Sequence, residues 1–306
     1  MTAHADHTPA ARATPAQWVE GARPRTLPAA VSPVVAATGL AAYKGGADPL
    51  TAVLALVVAL ALQVGVNFAN DYSDGIRGTD ADRVGPLRLV GSGLARPAAV
   101  RTAAFASFAV AAVAGLVVVL LTGHWWLLAV GAASVLAAWY YTGGRRPYGY
   151  RGLGEVFVFV FFGLVAVGGT GYVQTGHLTV ALLLTGIWVG ALTTAILVAN
   201  NLRDLRGDAA TGKLTLATRL GDRRTRSFYV ALVAVGALGL AGVAALTTTW
   251  ALLGLLPLLL LVRPCRAVLS GADGRDLIAV LKATGSAELA AALVSALALV
   301  LARVLV

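Results

Sequence analysis

The sequence predicts an all-α, polytopic membrane protein with nine spanning helices. Three observations predict it. Hydrophobic residues make up 58% of the 306, and charged residues only 12%, about half the share of a soluble domain. Mean hydropathy is +0.80. The apolar residues also fall into nine blocks of roughly spanning length, separated by polar segments that hold most of the charge.

The elements follow in order. Residues 1–17 are polar and rich in Ala, Thr and His, without the apolar core of a secretory signal. They are expected to be a disordered tail, with His4 and His7 as decoration rather than metal ligands. The nine spans lie at about 27–43, 49–70, 98–121, 125–142, 155–175, 178–200, 225–248, 250–269 and 278–304. The first and fourth are short, and Pro28 and Pro33 could interrupt the first. The boundary around Thr247–Trp250 is the tightest. Two polar segments, 71–97 and 201–224, are much longer than turns; shorter ones lie at 143–154 and 270–277. A single cysteine, Cys265, excludes an intramolecular disulfide. Residues 18–306 read as one transmembrane domain. The two acid-rich segments follow spans 2 and 6, which suggests a repeated four-helix unit, 18–154 and 155–270, with the ninth span as an addition.

The formal charge is +10. In a soluble chain that would point to nucleic acid; here it reads as membrane sidedness. Lys and Arg gather in the tail and in the loops after spans 2, 4, 6 and 8. Lys44 and Arg303 lie on the other side, where YKGGAD, TGHW and QTGH are short and nearly neutral. The expectation is a cytoplasmic N-terminus and cytoplasmic even loops, with the C-terminus outside.

The chemistry concentrates in NFANDYSDGIRGTD (67–80) and NNLRDLRGD (200–208). On a helix Asn67, Asp71 and Asp74 share one face, with Asn70 beside them. Asn200 or Asn201, Asp204 and Asp208 do the same. Asp80 and Asp82 lie beyond Gly75 and Gly78, where a helix is doubtful. Carboxylates a turn apart repel, and desolvation at a membrane raises that cost. A divalent cation removes both problems, and an all-oxygen set favours Mg2+, which commonly bridges carboxylates to phosphate. Arg77, Arg83 and Arg88 follow the first motif; Arg203, Arg206, Lys213 and Arg219 surround the second; Arg145, Arg146 and Arg151 lie in the loop between. Arg forks and Lys point charges suit diphosphate. Arg77, Arg88, Arg145, Arg146 and Lys213 are the candidates for that role. Arg101, Arg223, Arg224, Arg226, Arg263 and Arg266 read as ordinary positive-inside charge. In WYYTGGRRPYGYRGLGE (139–155), Tyr140, Tyr141 and Tyr148 form either an interfacial belt or a substrate contact. Arg23, ahead of span 1, is a further substrate candidate.

Together these motifs resemble the UbiA-type intramembrane prenyltransferase superfamily, whose first motif is NDxxDxxxD; here it is Asn70-Asp71-x-x-Asp74, with the third aspartate late, at Asp80. NDYSDGIRGTDADRVGPLR, GARPRTLPAAVSPVVAATG, YYTGG…GLGEVFVFVFFG and NNLRDLRGDAATGKLTLATRLG resemble the 1,4-dihydroxy-2-naphthoate polyprenyltransferase branch. The resemblance covers about residues 18–221. GGRRPYGY departs from the branch pattern around its first Arg, so which arginine of that loop meets phosphate stays open. The resemblance implies a nine-helix bundle around a central cavity capped by cytoplasmic loops. It implies transfer of a polyprenyl group from its diphosphate to 1,4-dihydroxy-2-naphthoate, with loss of diphosphate and CO2, giving demethylmenaquinone for menaquinone biosynthesis. It further implies Mg2+ held by Asp71, Asp74 and Asp80 and by Asp204 and Asp208, assisted by Asn67, Asn70 and Asn201.

Other readings differ at named points. A CDP-alcohol phosphotransferase would share D-x-x-D-G, but IRGTDADRVGPLR does not continue its pattern. A cation transporter would place acids near the midplane, not at Arg-rich span ends. Within the superfamily the acceptor could be another aromatic compound.

Overall fold

In the computed structural model, which describes residues 13–78 and 87–305, the chain is helical almost throughout. His4, His7, Asp80, Asp82 and Arg83 lie outside the described residues. Helix α1 (Pro15–Gly21) begins inside the stretch expected to be disordered. Its cause is local: Thr14 and Gln17 form a capping box and Pro15 stands at the first helical position. Trp18 then packs edge-on against Phe68.

The spanning helices are α2 (Leu27–Tyr43), α3 (Pro49–Arg77), α4 (Pro97–Thr122), α5 (Leu127–Tyr140), α6 (Gly154–Thr175), α7 (Val180–Ala210), α9 (Asp222–Leu246), α10 (Thr249–Leu269) and α11 (Asp276–Leu305). A short α8 (Leu216–Leu220) lies between α7 and α9. Among the described residues eight segments, α2 being counted together with α1, are long and apolar enough to cross a membrane; α5 is the shorter ninth. The chain is thus a multi-pass membrane protein. Helices α3 and α7 outrun the spans expected from hydropathy, ending at Arg77 and Ala210 instead of near 70 and 200. The acid motifs are therefore the final turns of two spanning helices, which is what keeps each motif on one face.

Two packed groups make the bundle. Helices α2, α7, α9, α10 and α11 share a core around Trp188, Leu192, Leu240, Leu261 and Leu299. Helices α3, α4 and α5 share another around Phe68, Leu89, Val100 and Phe108. Between membrane helices the apolar driving force is weak, so close backbone contact and hydrogen bonds carry association. Gly39 of α2 lies so close to α11 that a Cβ there would sit 2.4 Å from the Ala296 Cα. Tyr229 of α9 pairs with Thr284 of α11 at 2.7 Å. Thr193 of α7 lies 2.7 Å from the fully buried Glu288 of α11. The last helix is thus an integral wall. Helix α6 widens into a π-helix over Phe159–Val165. There Gly163 meets α7 at Gly186 and Gly190. At the charged end, Arg226 bonds Asp222 and the carbonyls of Val268 and Ala272, tying α9 to the end of α10. Arg226, read from the sequence as ordinary positive-inside charge, is here a buried tie between two helices.

Candidate active site at the charged end of a central cavity

Helices α2 to α7 and α11 enclose a cavity of about 1350 Å3, larger than a typical small-ligand pocket. Its body is apolar, lined by Ala, Val, Leu and Phe side chains. Its polar end carries Asn70, Asp74, Arg88, Asn200, Arg203 and Lys213.

The first motif divides its labour. Asp71 is fully buried, and its carboxylate accepts the backbone N–H groups of Leu89 and Val90 at 2.7 and 3.1 Å. Gly75, one turn on, makes this possible: a Cβ there would strike Val90 at 2.4 Å. Asp71, expected to ligate metal, thus pins the 89–90 segment onto α3. Asn67 is equally engaged, donating to the Ala22 carbonyl and the Thr26 hydroxyl and accepting from Gln63. Asn70 accepts from the Thr142 hydroxyl at 2.8 Å. Arg77, a candidate for phosphate, instead donates to the carbonyls of Thr142 and Gly144 and stacks over Tyr150. Of the described acids in this motif, Asp74 lines the cavity. It accepts from the Tyr150 hydroxyl at 2.6 Å and lies 3.7 Å from Arg88.

The second motif is organised around cations. Arg203 forks onto the Asp204 carboxylate at 2.7 and 2.8 Å and reaches Asn200 at 2.9 Å. After α7 the chain reverses through Gly212, whose φ of +73° is left-handed. The Lys213 N–H then bonds the Asp208 carbonyl, and its ammonium lies 3.4 Å from the Asp208 carboxylate. Asn201 donates to the buried Glu155 at 2.9 Å. That bond fixes its amide with the carbonyl oxygen turned away from Glu155.

Tyr150 joins the two motifs. Its hydroxyl holds Asp74, and Lys213, paired with Asp208, sits 5.2 Å from its ring centre. The two acid-bearing helix ends are thereby one contiguous polar cluster. Sequence reasoning named Tyr140, Tyr141 and Tyr148 and passed over Tyr150. Tyr140 is half exposed and away from the cavity. Tyr148 does line it, stacked on Phe157 with its hydroxyl donated to the Ala137 carbonyl. Burial pushes that phenol above its ordinary value, so it stays protonated. Arg145 and Arg146 are exposed and do not line the cavity. Arg23 lines it, with a left-handed backbone of φ 56° rare for a non-glycine residue. Lys282 also lines the cavity; sequence reasoning counted it with the charge of the cytoplasmic side and gave it no role, and its place inside an apolar span is the signal that marks it.

Among the described residues no three acidic, His or Cys side chains form a self-sufficient metal cage. The chain offers hard oxygen donors in ones and twos, on Asp74, Asp204 and Asp208. That arrangement fits Mg2+, which keeps waters and completes its shell with substrate phosphate.

Comparison with known proteins agrees with this architecture. Residues 30–281 match the model of the UbiA prenyltransferase family. The 1,4-dihydroxy-2-naphthoate octaprenyltransferase of Mycobacterium tuberculosis is 55% identical over 284 residues, covering 93% of this chain and 97% of the relative. That of Escherichia coli is 38% identical over 264 residues, covering 84% and 86%. A UbiA homologue from Archaeoglobus fulgidus, solved with DMAPP and Mg2+, superposes with a TM-score of 0.64 at 14% identity, over 93% of this chain and 99% of that one. With a nine-helix bundle of that shape and a family match across most of its length, the chain belongs to the UbiA prenyltransferase family.

Proposed function

We propose that this protein transfers a polyprenyl group from polyprenyl diphosphate to 1,4-dihydroxy-2-naphthoate, releasing diphosphate and CO2 and forming the reduced diol demethylmenaquinol, whose oxidised form is demethylmenaquinone, in menaquinone biosynthesis. The observation that carries the reading is the Asp74–Tyr150–Lys213–Asp208 cluster at one end of a long apolar cavity. The identities to naphthoate octaprenyltransferases support the choice of acceptor.

The residues divide the task as follows. Arg88, Arg203 and Lys213 line the polar end and face the diphosphate. Asp74, Asp204 and Asp208 hold Mg2+, with Asn70 and Asn200 beside them. Bound Mg2+ supplies charge neutralisation for the departing diphosphate. Asp71 keeps the 89–90 segment in place, and with it Arg88. The prenyl tail runs into the apolar body of the cavity, which excludes water from an allylic carbon that gains positive charge. Tyr141, Tyr148 and Phe161 line that body and offer ring faces to such charge. The naphthalenediol ring attacks the allylic carbon, the C–O bond to diphosphate breaks, and the acceptor carboxylate leaves as CO2 with its bonding pair retained by the ring. The N-terminus and the charged end face the cytoplasm, where the diphosphate and the acceptor acid are dissolved.

An acceptor panel with one radiolabelled prenyl diphosphate tests this. Labelled lipid product is expected from 1,4-dihydroxy-2-naphthoate, absent with EDTA and restored by Mg2+. Product from 4-hydroxybenzoate alone would overturn the acceptor; turnover in metal-free buffer would overturn the metal.

A further inference from the structure

Helix α11 carries one cation, Lys282, in its first half, and a second, Arg303, in its last turn. Lys282 stands six residues past Asp276, about 9 Å along the helix. It lines the cavity together with Ile278, Leu281 and Gly285, a single helical face. Glu288, the one other charge-bearing side chain before Arg303, lies six residues on and a different way round the helix, buried against Thr193.

Three cations of the polar end have a carboxylate partner: Arg88 has Asp74, Arg203 has Asp204 and Lys213 has Asp208. Arg23 acts on Asp71, and Arg25 lines the cavity from the turn ahead of α2, outside the spanning helices. Lys282 has none among the described residues, and its side chain is exposed to the cavity. A lone ammonium in an apolar wall is costly unless an anion joins it. Beside it the wall is small and apolar: Gly285 is buried, with Ile196 and Pro28 packed against it. Gly285 has no side chain, and a Cβ there would meet only Ile196 and Pro28, at 3.6 and 4.0 Å. All three line the cavity. A planar ring fits against such a shelf with a charged substituent directed at Lys282.

We propose that Lys282 binds the carboxylate of the aromatic acceptor and orients its ring on the Gly285 shelf. This deepens the reading above and rests on it. The diphosphate has its own cations, whereas an aromatic acid needs a positive group not already held by an acid.

The test compares wild type, Lys282→Met and Lys282→Arg in detergent or nanodiscs. Steady-state kinetics give separate KM values for 1,4-dihydroxy-2-naphthoate and for the prenyl diphosphate. Fluorescence titration gives binding of 1-hydroxy-2-naphthoate against 1-naphthol, which lacks the carboxylate. Wild type is expected to prefer the acid by about tenfold or more, the usual scale of a charge-assisted bond. Lys282→Met should erase that preference and raise the acceptor KM by about the same factor, leaving the donor KM within about twofold. Lys282→Arg should retain most of the preference. An unchanged preference in Lys282→Met overturns the proposal, as does an effect that falls on the donor KM, which would place Lys282 with the diphosphate. Failure of the acceptor reading shows separately, as a wild-type protein that makes no product from dihydroxynaphthoate. A wild type with no preference for the acid overturns the Lys282 assignment as well.

Discussion

At the residue scale, the site depends on which atom each side chain gives away. Asp71 and Asp74 are three positions apart on α3, yet one holds two backbone amides and the other faces the cavity. Tyr150 matters through a single hydroxyl, 2.6 Å from the Asp74 carboxylate. Tyr150→Phe removes that donor while keeping the ring against Lys213. Loss of a hydrogen bond to a charged, buried group costs about 1–3 kcal/mol. The expected result is a fall in kcat/KM of about ten- to hundredfold with a melting temperature lowered by only a few degrees, measured by steady-state kinetics and thermal unfolding. Activity within twofold of wild type would remove Tyr150 from the site. The acids and their order were legible in the sequence, because a 3.6-residue period places them on one face. Tyr150 was not, because its partners Asp74 and Lys213 are more than sixty residues away in either direction.

At the element scale, the wall between α6 and α7 is built from glycine. A Cβ on Gly163 would lie 2.5 Å from the Gly186 carbonyl oxygen and 2.7 Å from the Gly190 Cα. Both are backbone atoms and cannot swing aside. Gly163→Val therefore forces the helices apart, and overpacking of this kind costs about 1–3 kcal/mol or more. The variant should unfold several degrees earlier in detergent. Gly169→Ala, on the same helix with open space around it, should leave the melting temperature unchanged. Equal stabilities would show that α6 and α7 do not pack here as described. Hydropathy located α6 but not its π-helical widening, since apolar side chains read the same at either pitch.

At the scale of the whole molecule, charge asymmetry is the basis of the proposed orientation. Lys44 and Arg303 lie at the end opposite the acid motifs, and the remaining loops there are nearly neutral. The native thiol can be removed with Cys265→Ala and single cysteines placed at exposed positions. Ala47→Cys should then react with an impermeant maleimide in intact cells. Ala210→Cys, at the end of α7, should react only after the membrane is opened. The reverse pattern would invert the proposed orientation and place the diphosphate site outside.

Composition and periodicity by themselves determined that the chain spans a membrane many times, and that two helices carry carboxylates and carboxamides at their charged ends. Those properties depend on local order: the length of an apolar run, and the residues that fall within one turn of each other. Only the tertiary structure decided which motif acid meets the cavity, which arginine clasps a loop, that Tyr150 joins the two motifs and that Lys282 lines the chamber. A hydrogen bond acts over about 3 Å, and residues far apart in the chain come within that distance only when the helices pack.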